Sequence, residues 1–141
     1  MRHVVFRLEK ERYALPLAAV REVVVPPRVY SLVPRAPRAV RGVMNLRGRV
    51  VTVVELAPLM ALAEPKGEGE KIILLDRGRR DLGLLVTEVD GIELIEKVVV
   101  SPGPALSAVR GVARLKGLAV TVLDPDGVDG LVGTLFGAKS A

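Results

Sequence analysis

Side chains able to do chemistry are few here, and the one set apart by its surroundings is Arg47, inside the stretch Val40–Glu55, VRGVMNLRGRVVTVVE. Gly42 and Gly48 flank it, and the run Val50–Val54 that follows reads as a buried strand. The pattern predicts a tight turn between the two glycines, held out at a strand end. A guanidinium fixed there offers a planar fork of donors suited to a partner's carboxylate. The plainer reading is an arginine that only solvates a hairpin. Asn45, in the same turn, tolerates left-handed geometry and bonds its own backbone, so its simplest role is turn chemistry.

Catalytic constellations do not assemble, and the sequence predicts a protein that is not an enzyme and holds no cofactor or metal. The single histidine, His3, falls at the start of the chain, where ends fray, and there is no cysteine. A nucleophilic Ser or Cys arrangement therefore has no base. The glycines punctuate predicted strands and do not open helices, which excludes Walker and dinucleotide-binding loops. Asp124-Pro125-Asp126-Gly127 begins like a calcium loop, yet Val128 and Asp129 occupy the wrong places and no closing Glu follows, so a turn is expected. Glu93 and Glu96, on an extended run, project to opposite faces and do not make an acid and base pair.

The elements that must position Arg47 are mostly strands. Half of the 141 residues are hydrophobic but only 3% aromatic, and abundant valine favours sheet. Val4–Leu8 and Tyr13–Leu17 predict an opening hairpin around Lys10-Glu11-Arg12. Ala18–Val25 fits either a short helical turn or an extended run, and Pro26-Pro27 ends it. Pro34 and Pro37 impose an extended connector over 28–38. Past the central strand, 57–62 predicts one helical turn, and Pro65–Glu70 a flexible polar link that divides a first β-barrel subdomain, 1–66, from a second, 67–141, with terminal strands free to exchange between them. Strands follow at Ile72–Leu75 and Leu82–Val89 around a charged turn at Asp76–Arg80, then an extended run over Gly91–Val100. Ser101-Pro102-Gly103-Pro104 breaks the chain before Val109–Leu123.

The formal charge of +5 and the grouping of Arg28, Arg35, Arg38, Arg41, Arg47 and Arg49 raise nucleic acid as a partner. Barrels that bind single strands stack bases on aromatic rings, whereas this chain has only Phe6, Tyr13, Tyr30 and Phe136. A basic nucleic-acid-binding barrel is thus a remote alternative, and no nucleic acid is expected. The absence of cysteine and of a signal-peptide core at MRHVVFRLEK predicts a cytoplasmic chain without direct membrane contact.

The strongest structural signal is an internal repeat. Displacing Ala39 onto Ala108, a shift of 108 − 39 = 69, also superposes Val40, Arg41, Gly42, Val43, Leu46, Gly48, Val51, Thr52 and Val53 on identical residues. The same shift lays Tyr13-Ala14-Leu15 on Leu82-Gly83-Leu84 and Val4-Val5-Phe6 on Ile73-Leu74-Leu75. Two similar halves follow, and with them an all-β fold of two small barrels of about five strands each, with short helical turns. In the second copy Asn45 is lost and Lys116 stands for Arg47, keeping the charge without the fork.

With these residues assembled, the chain resembles the CheW-like domain of bacterial chemotaxis coupling proteins. The carriers are Tyr13-Ala14-Leu15-Pro16-Leu17 with Val20-Arg21-Glu22-Val23, Pro34-Arg35-Ala36-Pro37, Val40 through Gly48, and Val51-Thr52-Val53. Leu82 through Val86 and the turn from Arg110 to Gly117 join them. The resemblance implies two SH3-like β-barrels and a non-enzymatic adaptor that joins a chemoreceptor signalling tip to the regulatory domain of a CheA-like histidine kinase. It implies a receptor-binding set of Val20, Glu22, Gly42, Asn45, Leu46, Arg47 and Gly48, and leaves the kinase-binding residues unknown. The sequence departs from the family pattern in a short segment 101–109, in Ala57-Pro58-Leu59, and in a tail, 130–141, too glycine-rich for a long closing helix. An adaptor that binds the receptor alone is the alternative those departures suggest.

Overall fold

The computed structural model describes residues 1–60, 71–76, 81–100 and 108–140. The predicted link at Pro65–Glu70, most of the turn at Asp76–Arg80 and the break at Ser101–Pro104 lie outside the described residues. Eleven strands and two α-helices are present among those described. The first half supplies β1 (Arg2–Leu8), β2 (Glu11–Pro16), β3 (Val20–Val24), β4 (Val40–Leu46), β5 (Arg49–Glu55) and α1 (Leu56–Leu59). The second supplies β6 (Lys71–Leu75), β7 (Leu82–Val86), β8 (Glu88–Leu94), β9 (Val99–Val100), β10 (Val109–Leu115), β11 (Leu118–Leu123) and α2 (Pro125–Ser140).

The architecture is all-β, as the valine content and the repeat predict, in two sheets ordered β8-β1-β2-β11-β10-β9 and β3-β6-β7-β5-β4. The halves exchange strands reciprocally. β1 and β2 lie with the second half's strands, while β6 and β7 lie with the first's. The joints are the two parallel pairings, and they obey the 69-residue shift: Thr52 and Val53 pair with Leu82 and Gly83, and Thr121 and Val122 pair with Tyr13 and Ala14.

Three apolar clusters result. One is central and draws on both halves, with Phe6, Leu15, Val54, Leu56, Ile73, Leu84 and Leu123 among its buried members. Each sheet also curls around its own small core, and these two cores are copies of one another. Met44, Val51, Val53 and Leu74 in one correspond under the shift to Ala113, Val120, Val122 and Val5 in the other. The larger residues fill the first barrel, and Gly83 faces Ile72 there, where Ala14 sits in the second.

Several local expectations are corrected. The run Leu82–Val89 is two strands, broken at Thr87, because β8 leaves β7's sheet to pair with β1. His3 is not frayed: β1 runs between β2 and β8, and the ring is 1% exposed. Its Nδ1 lies 2.9 Å from the Met1 carbonyl. Burial lowers the His3 pKa; the Met1 hydrogen bond opposes this, and the N-terminal ammonium and Arg110 add to it.

The larger correction concerns the tail, where a 16-residue helix replaces the expected turn and glycine-rich coil. Asp124-Pro125-Asp126 is a helix start: the Asp126 N–H donates to Asp124 Oδ1 at 3.2 Å, and Pro125 takes the first helical position, where a missing N–H costs nothing. Val128, Leu131, Val132 and Leu135 then fall at the i, i+3, i+4, i+7 spacing and pack on the central core. That burial outweighs the poor helix propensity of Gly127, Gly130 and Gly133. No described helix is long and apolar enough to cross a membrane.

Candidate functional site

The β4–β5 hairpin closes on two residues only, Arg47 and Gly48, with φ of 50° and 84°. Positive φ at both central positions is the primed turn that matches strand twist, so the sequence must place a tolerant residue at each. The same turn recurs at Lys116 and Gly117, with φ of 53° and 80°. The predicted turn between Gly42 and Gly48 is therefore too wide, since Asn45 and Leu46 are still strand. Gly42 has a different task. It sits at the β4 bulge with φ of 149°, and a Cβ there would meet the Ser31 carbonyl and Tyr30 Cβ, each at 2.8 Å. The segment carrying Tyr30 and Ser31 lies directly over it, held by reciprocal 2.9 Å hydrogen bonds between Ser31 and Val43. Gly111 repeats this close approach beneath Val99.

The turn aims Arg47 across the barrel mouth at β3, where its Nη2 pairs with Glu22 Oε1. β3 leaves the 3-10 turn Leu17–Ala19 as an alternating strand, which settles the ambiguity of Ala18–Val25. In strand geometry Glu22 lies between the outward Arg21 and Val23 and is half-buried. A pocket of about 220 Å³ opens between the two elements, with Leu46, Val51, Leu74 and Leu82 beneath and Arg47 and Glu22 at its rim.

The seven residues implicated by sequence divide by position. Glu22, Leu46 and Arg47 meet at the pocket. Asn45 and Gly48 shape the turn, the Gly48 N–H donating to Asn45 Oδ1 at 2.9 Å, which is the turn chemistry expected of Asn45. Val20 packs on the central core, and Gly42 lies under the Tyr30 segment, so neither reaches the pocket.

Sequence reasoning missed three charged residues on the same rim: Arg21, Arg49 and Asp81. Arg49 was visible as the residue after the turn glycine. Asp81 was not, because only the parallel β5–β7 pairing brings it to β5. Of the arginine cluster, Arg47 and Arg49 are ion-paired and Arg41 lies over the Tyr30 ring at 4.7 Å, fastening the overlying segment.

The repeat places a related face on the other barrel. Lys116 Nζ approaches Glu93 at 3.5 Å, in the manner of Arg47 and Glu22. Beside it Leu94, Val99 and Val112 line a groove of about 620 Å³, and they and Ile92 are all at least 41% exposed. Ile92 and Leu94 correspond under the shift to Val23 and Val25, which are also exposed. Each barrel thus turns an apolar, charge-flanked face outward, exposed among the described residues.

This chain and its fold have counterparts among known proteins. The model of the CheW-like domain matches residues 2–129. The chain belongs to the CheW-like domain family. It is 26% identical over 135 residues to the chemotaxis protein CheW of Rhizobium meliloti, covering 89% of this chain and 84% of that one. The Klebsiella aerogenes chemotaxis protein CheW is 28% identical over 119 residues, covering 82% of this chain and 69% of its own. The crystal structure of the scaffolding protein TtCheW from Thermoanaerobacter tengcongensis superposes with a TM-score of 0.76 at 25% identity, over 87% of this chain and 88% of that one. Membership assigns the chain to a chemotaxis-type family of scaffolding adaptors, and the fold is the two-barrel fold of CheW.

Proposed function

We propose that this CheW-like protein couples a chemoreceptor to a CheA-like histidine kinase by holding both, with no chemistry of its own. The receptor's signalling tip is a helical hairpin that lays apolar side chains beside the 220 Å³ pocket while Arg47 sets its orientation. The observation that carries this reading is the Arg47–Glu22 pair over an apolar floor at a hairpin tip, in a chain of this family. Glu22 restrains a long, flexible guanidinium in the free protein, which lowers the cost of ordering it on binding. The kinase's regulatory domain takes the repeat-related face around Leu94, Val99 and Val112, which is as exposed and more apolar.

The test is a titration against the receptor's signalling tip and the kinase regulatory domain separately, with Arg47→Ala alongside. Loss of one charge-assisted contact is expected to weaken receptor binding by about 10-fold or more, leaving kinase binding unchanged. Receptor binding without kinase binding would select a single-partner adaptor. Binding to neither would refute the proposal.

A further inference from the structure

We infer that Asp81 is a positioning residue for partner recognition: it seats Arg21 and Arg49 at the pocket rim beside Arg47, so that three guanidinium groups converge on one carboxylate of a partner helix. The inference rests on reading this face as the receptor-binding one, and concerns which group of the partner it takes.

Asp81 is itself well fixed. Its carbonyl accepts the Thr52 N–H at 3.0 Å, which ties the residue to β5 just before β7 begins. Its Oδ1 accepts from Arg49 Nη2 at 2.5 Å and from Arg21 Nη1 at 3.3 Å. Arg21 extends its other terminal nitrogen toward Asp76 at 3.5 Å, and the Asp76 N–H donates to the Ala19 carbonyl at 2.8 Å. One carboxylate from the second half therefore gathers two arginines from β3 and β5, strands that do not pair with each other.

Such pairs add little to stability, because the side chains stand in water: Arg49 is 58% exposed and Arg21 37%. What they do is fix where two flexible cations stand: Arg49, paired through Nη2 alone, keeps its other N–H groups to donate, and Arg21, engaged through both terminal nitrogens, keeps a second N–H on each. Among the residues that line the pocket, three guanidiniums against Glu22 and Asp81 leave one net positive charge around an apolar floor, Asp76 lying outside that lining. That balance suits a helix presenting a single carboxylate among apolar residues.

Removing the charge of Asp81 separates positioning from simple electrostatics by sign. If Asp81 acted only as a charge, Asp81→Asn would make the rim more positive and tighten binding of an acidic partner. Positioning predicts the reverse, about fivefold weaker binding at an unchanged thermal midpoint. The probe is the purified cytoplasmic tip fragment of a chemoreceptor from the source organism, titrated into the full chain by calorimetry at two salt concentrations. Asp81→Glu is expected to restore most of the affinity, and Asp81→Asn is expected to have no further effect in an Arg21→Ala/Arg49→Ala background. Unchanged or tighter binding by Asp81→Asn, with Arg47→Ala still weakening it, would overturn this inference alone. No binding by the unaltered protein would overturn the receptor reading and this inference with it.

Discussion

Substituting Gly42 by alanine tests the structural logic of the site most sharply, because two independent penalties coincide there. At φ of 149° an L side chain is strained, which costs on the order of 1–3 kcal/mol. The new Cβ would also stand 2.8 Å from both the Ser31 carbonyl and Tyr30 Cβ, and overpacking of this kind typically costs about 1–3 kcal/mol. Backbone is one of the two obstacles, so a rotamer change cannot relieve the clash. A total of about 3 kcal/mol is expected if strain and overpacking relax together, a large part of a domain stability of roughly 5–15 kcal/mol. With a urea slope near 2 kcal/mol per molar, the unfolding midpoint falls by about 1.5 M. Hydrogen exchange at the Ser31 and Val43 amides should rise beyond the global loss if the molecule relieves the clash by lifting the Tyr30 segment. Gly48→Ala is the internal control: its φ is 84°, but no atom lies within 4 Å of the added Cβ, so only strain of about 1 kcal/mol applies. Equal losses for Gly42→Ala and Gly48→Ala would refute the close-approach argument for Gly42 and for its repeat partner Gly111.

Acid should weaken the fold through His3. Its folded pKa lies below the ordinary histidine value of 6.5, so the unfolded chain takes up the proton first. The stability is intact above that value and is lost as pH falls through and below it. The groups facing the ring are the N-terminal ammonium and Arg110, with Glu96 lining the same small cavity. Denaturant midpoints at pH 7.5 and 5 should differ less in His3→Gln than in the unaltered chain. Asp124→Ala removes the acceptor at the start of α2 and should cost about 1 kcal/mol, read as lost helical ellipticity and a lower midpoint. Leu15→Ala, at a fully buried position of the central core, should cost about 3 kcal/mol by chemical denaturation.

Much of the fold was legible because the chain states it twice. The glycines at Gly42, Gly48, Gly111 and Gly117 and the shared Val-Thr-Val runs recur at one offset, and the structure honours them with matching bulges, turns and parallel joints. Which strands share a sheet was less accessible. The pairing of Thr52 with Leu82 and of Thr121 with Tyr13 is set by burial across the two halves, and no local pattern encodes it. Asp81 escaped notice for that reason. The closing helix was missed because glycine propensity was weighed without the Val128, Leu131, Val132 and Leu135 stripe, whose burial decides the outcome. At the site, the structure places Arg47 in the hairpin turn, while its pairing with Glu22 is set by barrel closure.

Coupling is the central claim, and kinase activity under receptor control measures it most directly. Autophosphorylation of the cognate CheA-like kinase would be followed with receptor-bearing membranes, with and without this chain, and with stimulus added and withheld. The account predicts that stimulus-dependent kinase activity appears only when the chain is present, and that Arg47→Ala abolishes or sharply reduces it while kinase binding persists. Receptor control that is equally strong without the chain, or that is indifferent to Arg47→Ala in a folded variant, would contradict it.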